Sequence, residues 1–188
     1  MCNGHIDVAN LLIAHGANIN QNDHSDENTA LHKAIREGNL AVVKFLQERN
    51  ADMKVRNVRG EALLHMAIRK FLAGAIPIEI AGRLLCKPNV TTAKGQTALH
   101  IAVSLNDKNL VSHLLQHGAD ANATDAQGRT PVHEFAAIGN DAHFQIFSRL
   151  QSVPADLQKE DNMGYLPLHL ASESNNWCLV AEQLHYPC

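Results

Sequence analysis

Twelve histidines among 188 residues are the largest reserve of reactive side chains in this sequence. Imidazole ligates metals and transfers protons near neutral pH, so the spacing decides whether a site could form. His113 and His117 stand four apart and would share one helix face, but no glutamate follows His113, so the H-E-x-x-H pattern of zinc hydrolases is missing. His117 precedes Gly118 and is expected to face the carbonyls at a helix C-terminus. Cys178, His185 and Cys188 lie close in sequence without a second ligand pair. The four cysteines, Cys2, Cys86, Cys178 and Cys188, include no C-x-x-C pair and read as reduced intracellular thiols. There is no G-x-S-x-G nucleophile elbow and no phosphate-binding G-x-x-x-x-G-K loop. The expectation is a chain with no catalytic residue, no metal and no cofactor.

Five histidines belong instead to a recurring tetrad: Thr29-Ala30-Leu31-His32, Ala62-Leu63-Leu64-His65, Thr97-Ala98-Leu99-His100, Thr130-Pro131-Val132-His133 and Leu166-Pro167-Leu168-His169. Successive histidines are 33, 35, 33 and 36 residues apart. A fixed period of this size marks a repeat architecture, and these five read as structural. Each is placed to bond the capping threonine or an adjacent loop. Gly60, Gly95, Gly128 and Gly164 stand five before their histidines, in a turn where φ can be positive; Glu27 breaks that series.

The elements that hold the tetrads follow from local chemistry. Thr29, Thr97 and Thr130 can cap a short helix whose first turn accepts Pro131 or Pro167. Gly38 and Gly139 fit its C-terminal stop, and a second apolar-patterned helix follows, as at Leu40 to Leu46 and Leu110 to Leu115. Gly16-Ala17-Asn18 and Gly118-Ala119-Asp120 end that second helix. Such a pair cannot bury its apolar faces alone, so each unit must stack on its neighbours.

At these residues the sequence resembles the ankyrin repeat family, best in Asp125 to Gly128 followed by Arg129-Thr130-Pro131-Val132-His133. The resemblance covers the whole chain and implies an all-α solenoid of stacked helix-turn-helix units with short β-hairpin-like loops. By phase, residues 1–188 form a single repeat domain: a partial repeat at 1–23, full repeats at 24–56, 57–91, 92–124 and 125–160, and a partial repeat at 161–188. Neither end resembles a polar cap, so the expectation is a monomeric fragment of a longer array or larger protein. The resemblance also makes Asn20 and Asn122 candidates for asparaginyl hydroxylation, although stabilisation of the hairpin is their simpler role.

Composition agrees with such an architecture. Five Phe, two Tyr and one Trp are few for a deep core and suit a shallow, extended one of Ala, Leu and Val. Sixteen Lys and Arg against 19 Asp and Glu give a net charge of −3, which argues against nucleic acid as a partner. The first 22 residues lack Lys and Arg and do not form a signal peptide, and no uncharged apolar run reaches the roughly 18 residues of a membrane span. Localisation is expected in the cytoplasm, with the nucleus as an alternative.

Three departures interrupt the pattern. Repeat 2 has Ala62 in place of the capping threonine and an insertion at Phe71 to Pro77, which predicts the least amide-exchange protection at 57–91. Phe135 fills the slot held by Ala34, Ala67, Ala102 and Ala171, which requires the packing there to rearrange. Ser152-Val153-Pro154 lengthens a loop.

The positions left free by the repeat lie on the turns and the exposed side of the first helix, the concave face that the resemblance implies. Repeats 1 to 3 place Arg36, Arg59, Arg69, Lys70 and Lys94 there. Further along come Leu105, Arg129, Ile138, Met163 and Tyr165. A basic half and an apolar half would suit a protein or peptide partner with acidic and apolar residues. Two alternatives are a structural spacer in a larger multidomain protein and a small anionic ligand.

Overall fold

The computed structural model describes residues 3–71, 87–138 and 144–174. Among these, every regular element is a helix: α1 Asn3–Ala14, α2 Ala30–Glu37, α3 Leu40–Glu48, α4 Leu63–Phe71, α5 Ala98–Ser104, α6 Lys108–Gln116, α7 Pro131–Ala137, α8 Phe144–Gln151 and α9 Pro167–Glu173. Extended pairing is confined to isolated antiparallel bridges at Asn22 and Thr29, Arg56 and Ala62, and Thr91 and Thr97. The chain forms two compact units, Met1–Leu84 and Leu85–Cys188.

Helix starts and stops have identifiable causes. The residue before each first helix is extended, as Thr29 is at φ −78°, ψ 169°, which ends the strand-like segment and frees the next amides for capping. Gly38 closes α2 in the left-handed region at φ 72°, and its N–H reaches back to Ala34 and Ile35. Second helices start on a side-chain cap: Asn39 Oδ1 accepts from the Val42 N–H at 3.2 Å, and Asp107 Oδ1 accepts from Leu110 at 3.0 Å. Gly139, the insertion between Phe71 and Pro77 beyond its first residue, and Cys178, His185 and Cys188 lie outside the described residues.

In the first unit α2 packs on both α3 and α4, burying Leu31, Ile35, Val43, Leu46, Leu63 and Ile68. In the second, α5, α7 and α9 form one layer and α6 and α8 the other. Leu99, Leu114, Val132, Ile146 and Leu150 are sealed between these layers. Phe135 is fully buried and stacks on Phe147 of α8, with ring centroids 5.4 Å apart and planes inclined 17°. The large ring in an alanine slot is thus matched by a second ring from the helix behind it.

Glu27 stands at φ 53°, so the turn conformation of the glycine series continues through the one repeat that lacks the glycine. Asn50 at φ 59° does the same where Gly16 and Gly118 end other second helices. Asparagine tolerates this region; glutamate has no side-chain reason to adopt it.

Candidate binding face

Four of the described turn tips are built by one acidic or amide side chain, and the turn before His100 by the Thr92 hydroxyl, which accepts from the Lys94 N–H at 3.3 Å. Asp125 Oδ1 accepts from the N–H groups of Gln127 and Arg129, both at 2.9 Å, and Asp161 Oδ1 accepts from Met163 and Tyr165, also at 2.9 Å. Asn57 does the same for Arg59 and Glu61 at 3.0 Å. In the first turn Asp23 sits one residue earlier and accepts from Asp26 and Asn28 at 3.0 and 3.2 Å. The Lys33 ammonium, 2.9 Å away, together with the Asp26 N–H, holds the Asp23 carboxyl far below the usual carboxylate range. Burial pushes Asp161 upward, but the N–H groups of Tyr165 and Met163 and the Arg129 guanidinium outweigh it and leave it lowered.

Adjacent tips are joined through the backbone. Val58 donates to the Asp26 carbonyl at 3.1 Å in the first unit; in the second, Ala126 donates to Lys94 at 3.0 Å and Asn162 to Gln127 at 2.9 Å. Gly95 has no room for a side chain, because a Cβ there would stand 2.6 Å from the Ala126 nitrogen.

In the second unit two tetrad histidines, His100 and His133, reinforce the same junctions. The Thr97 N–H donates to His100 Nδ1 at 3.1 Å, and the Thr130 N–H donates to His133 Nδ1 at 3.1 Å. Nδ1 is therefore the acceptor, and Nε2 carries the proton. His100 Nε2 donates across to the Arg129 carbonyl at 2.9 Å and His133 Nε2 to the Tyr165 carbonyl at 3.1 Å. Ala62 and Leu166 donate their N–H groups to His65 and His169 in the same way, so the cap survives without a threonine hydroxyl. Burial pushes the imidazoles of His32 and His100 below their ordinary pKa.

On the far loops, asparagines carry the link. Asn20 Oδ1 accepts from the Asp52 N–H at 2.8 Å, and Asn122 Oδ1 accepts from Asp156 at 2.7 Å while its Nδ2 donates to Pro154 at 2.7 Å. Asn89, which sequence reading passed over, binds the Asp120 N–H at 2.8 Å. His117 Nδ1 lies 2.7 Å from the His113 carbonyl, the terminal position expected of it. Among the described residues no group of three or more His, Cys, Asp or Glu could hold a metal, and no helix is long and apolar enough to cross a membrane.

The proposed contact residues separate into three kinds. Arg69 and Arg129 are held: Arg69 Nε pairs with Glu61 at 3.3 Å, and Arg129 Nε reaches the buried Asp161 of the next turn at 3.4 Å. Leu105 and Ile138 are half-buried just past the ends of α5 and α7, and the Lys70 side chain lies outside the described residues. Arg36, Arg59, Lys94, Met163 and Tyr165 are exposed. Arg36 has an exposed ion pair with Glu37 at 3.5 Å, of a kind that contributes little.

In the first unit, Arg36 and Arg59 line one cleft of about 220 Å³ between successive turn tips, with Asn57, Val58, Met66 and the acidic residues Asp26 and Glu61, the latter paired with Arg69. Asn28 also lines it, and its buried Oδ1 has no hydrogen-bond partner. Val58 is 59% exposed. In the second unit Met163 is 76% exposed on its turn, two residues from Tyr165, whose ring meets His169 edge-on at 6.1 Å. Asn57 and Met66 were missed as cleft residues; the signal for Asn57 was an Asx or Thr eight before the histidine at Asn57, Thr92, Asp125 and Asp161.

A family model described as Ankyrin repeats (3 copies) matches residues 1–85, 64–147 and 107–182. Inversin of Canis lupus familiaris is 31% identical over 183 residues, covering 93% of this chain and 16% of that protein. Human inversin is 30% identical over 183 residues, with 93% and 17% covered. Neurogenic locus notch homolog protein 1 of Danio rerio is 36% identical over 135 residues, with 71% and 6% covered. The chain therefore spans about a sixth of the length of the inversins it matches.

Proposed function

This chain belongs to the ankyrin repeat family, and from that premise we propose that it captures an extended protein segment on its turn tips and first helices. The family supports a non-catalytic protein-interaction module as the general role. The observation that favours the finer reading is the cleft in the first unit, where Arg36 and Arg59 flank an exposed Val58. Arg59 has no ion-pair partner among the described residues, and its guanidinium suits a carboxylate in a bidentate grip. Val58 and Met66 supply apolar surface beside it.

In the second unit, Met163 and Tyr165 form an apolar tip of the type that anchors partners, since binding energy concentrates in aromatic and flexible apolar side chains. Each unit thus selects by its own chemistry: acidic residues for Arg36 and Arg59 in the first, an apolar or aromatic residue for Met163 and Tyr165 in the second.

The test is selection of binders from a random peptide display library on the intact chain. Enriched sequences should be rich in acidic residues, in apolar or aromatic residues, or in both. Arg36→Glu with Arg59→Glu should weaken the acidic peptides at least tenfold, and Met163→Ala with Tyr165→Ala the apolar ones. Unchanged affinity in both variants would reject this face.

A further inference from the structure

The second unit carries a groove on the side away from the turn tips. α6 and α8 pack together and send Leu110, Val111, Leu114, Ile146, Phe147 and Leu150 inward. Helical periodicity leaves Lys108, Asn109, Ser112, Gln145, Ser148 and Arg149 on the opposite side, where they line a cleft of about 470 Å³. Among the described residues its chemistry is one-sided: two cations, two hydroxyls and two carboxamides, with no carboxylate and no apolar side chain.

Its internal bonds leave an excess of donors. The Lys108 ammonium donates to Gln145 Oε1 at 2.7 Å, which occupies the carboxamide oxygen and leaves the Gln145 NH₂ and the remaining ammonium protons. Ser112 Oγ donates to the Lys108 carbonyl at 2.9 Å. Among the described residues, the side chains of Arg149, Asn109 and Ser148 have no hydrogen-bond or ion-pair partner.

We propose that the groove between α6 and α8 binds a phosphate monoester, with its oxygens shared between Lys108 and Arg149. A single carboxylate answers one cation; a phosphomonoester brings a charge of about −1.5 to −2 and three acceptor oxygens, which match two cations and the surplus N–H and O–H groups. The site is independent of the peptide face, because none of its residues lies on a turn tip or first helix.

The test is a titration of the ¹⁵N-labelled intact chain, followed by NMR. One arm uses inorganic phosphate, a second a short glycine–alanine peptide with a central phosphoserine, and a control uses sodium chloride at matched ionic strength. Saturable shifts should appear at the amides of 108–112 and 145–149 and not in the control. Lys108→Ala with Arg149→Ala should weaken them about tenfold or more. Ser148→Glu, which puts a carboxylate into the cleft and keeps both cations, should do the same. Tighter binding of the phosphopeptide than of phosphate points to a phosphorylated protein segment; equal affinity points to a free phosphorylated molecule. Absence of saturation in both arms, shifts reproduced by sodium chloride, or unaltered affinity in both variants overturns the proposal.

Discussion

His133 Nε2 donates to the carbonyl oxygen of Tyr165, 3.1 Å away and 32 residues further along the chain, while its Nδ1 accepts the Thr130 N–H at 3.1 Å. One ring therefore caps its own helix and fixes the next turn. His133→Ala leaves the buried Thr130 N–H without its partner, costing about 1–3 kcal/mol, and removes one of the two bonds to the Tyr165 carbonyl, which keeps the Asp161 N–H at 2.9 Å. His169→Ala should cost much less, because that ring is exposed. Urea unfolding of both variants checks the difference, and equal midpoints would refute the junction role.

The same rings predict a pH dependence. Burial lowers the pKa of His32 and His100 below the ordinary 6.5, so the unfolded chain takes up protons near pH 6.5 while the folded chain does not. Their contribution is complete above about 6.5 and shrinks as pH falls below it. The lowered carboxyls of Asp23 and Asp161 contribute above about 3.8 and are lost in a second, more acidic window. The melting temperature should fall between pH 7.5 and 5.5, and less so in His100→Asn. A flat profile across that interval would contradict the assignment of neutral, Nε2-protonated rings.

Glu27 occupies a left-handed turn position at φ 53° that Gly60, Gly95, Gly128 and Gly164 occupy in the other turns. Glu27→Gly should raise stability by about 1 kcal/mol, since it removes the Cβ penalty of that conformation. Gly95→Ala should do the reverse, through both its φ of 75° and the Ala126 nitrogen. Paired thermal melts read both signs.

Asn122 holds Asp156 by its oxygen and Pro154 by its nitrogen, so Asn122→Asp keeps the acceptor and loses the donor, whereas Asn122→Ala loses both. Amide exchange at Asp156 should speed up most in Asn122→Ala. Mass spectrometry of protein from its native cell shows whether Asn20 or Asn122 carries an added oxygen.

Much of this architecture was legible because its causes are local. The tetrads, the Thr29 cap and the stop at Gly38 each act within about one helix turn, and with the repeat period they placed α2, α3, α5, α6, α7 and α9. What escaped were bonds made between repeats. Arg129 read as a free cation because Asp161, its partner, lies 32 residues away, and Asn89 went unnoticed because its bond to Asp120 has no local signature. The Phe135 substitution was visible, but not the ring of Phe147 that accommodates it. The α6 and α8 groove was unreadable, since six ordinary polar residues acquire meaning only when two helices align them.

The most direct test of the recognition account is an amide-exchange footprint of a selected peptide on the intact chain. Protection by an acidic peptide should fall on the first unit's turn tip, around 57–61, and should vanish in Arg36→Glu with Arg59→Glu. Protection confined to the outer sides of the second helices, or a footprint that the double variant leaves intact, would contradict it.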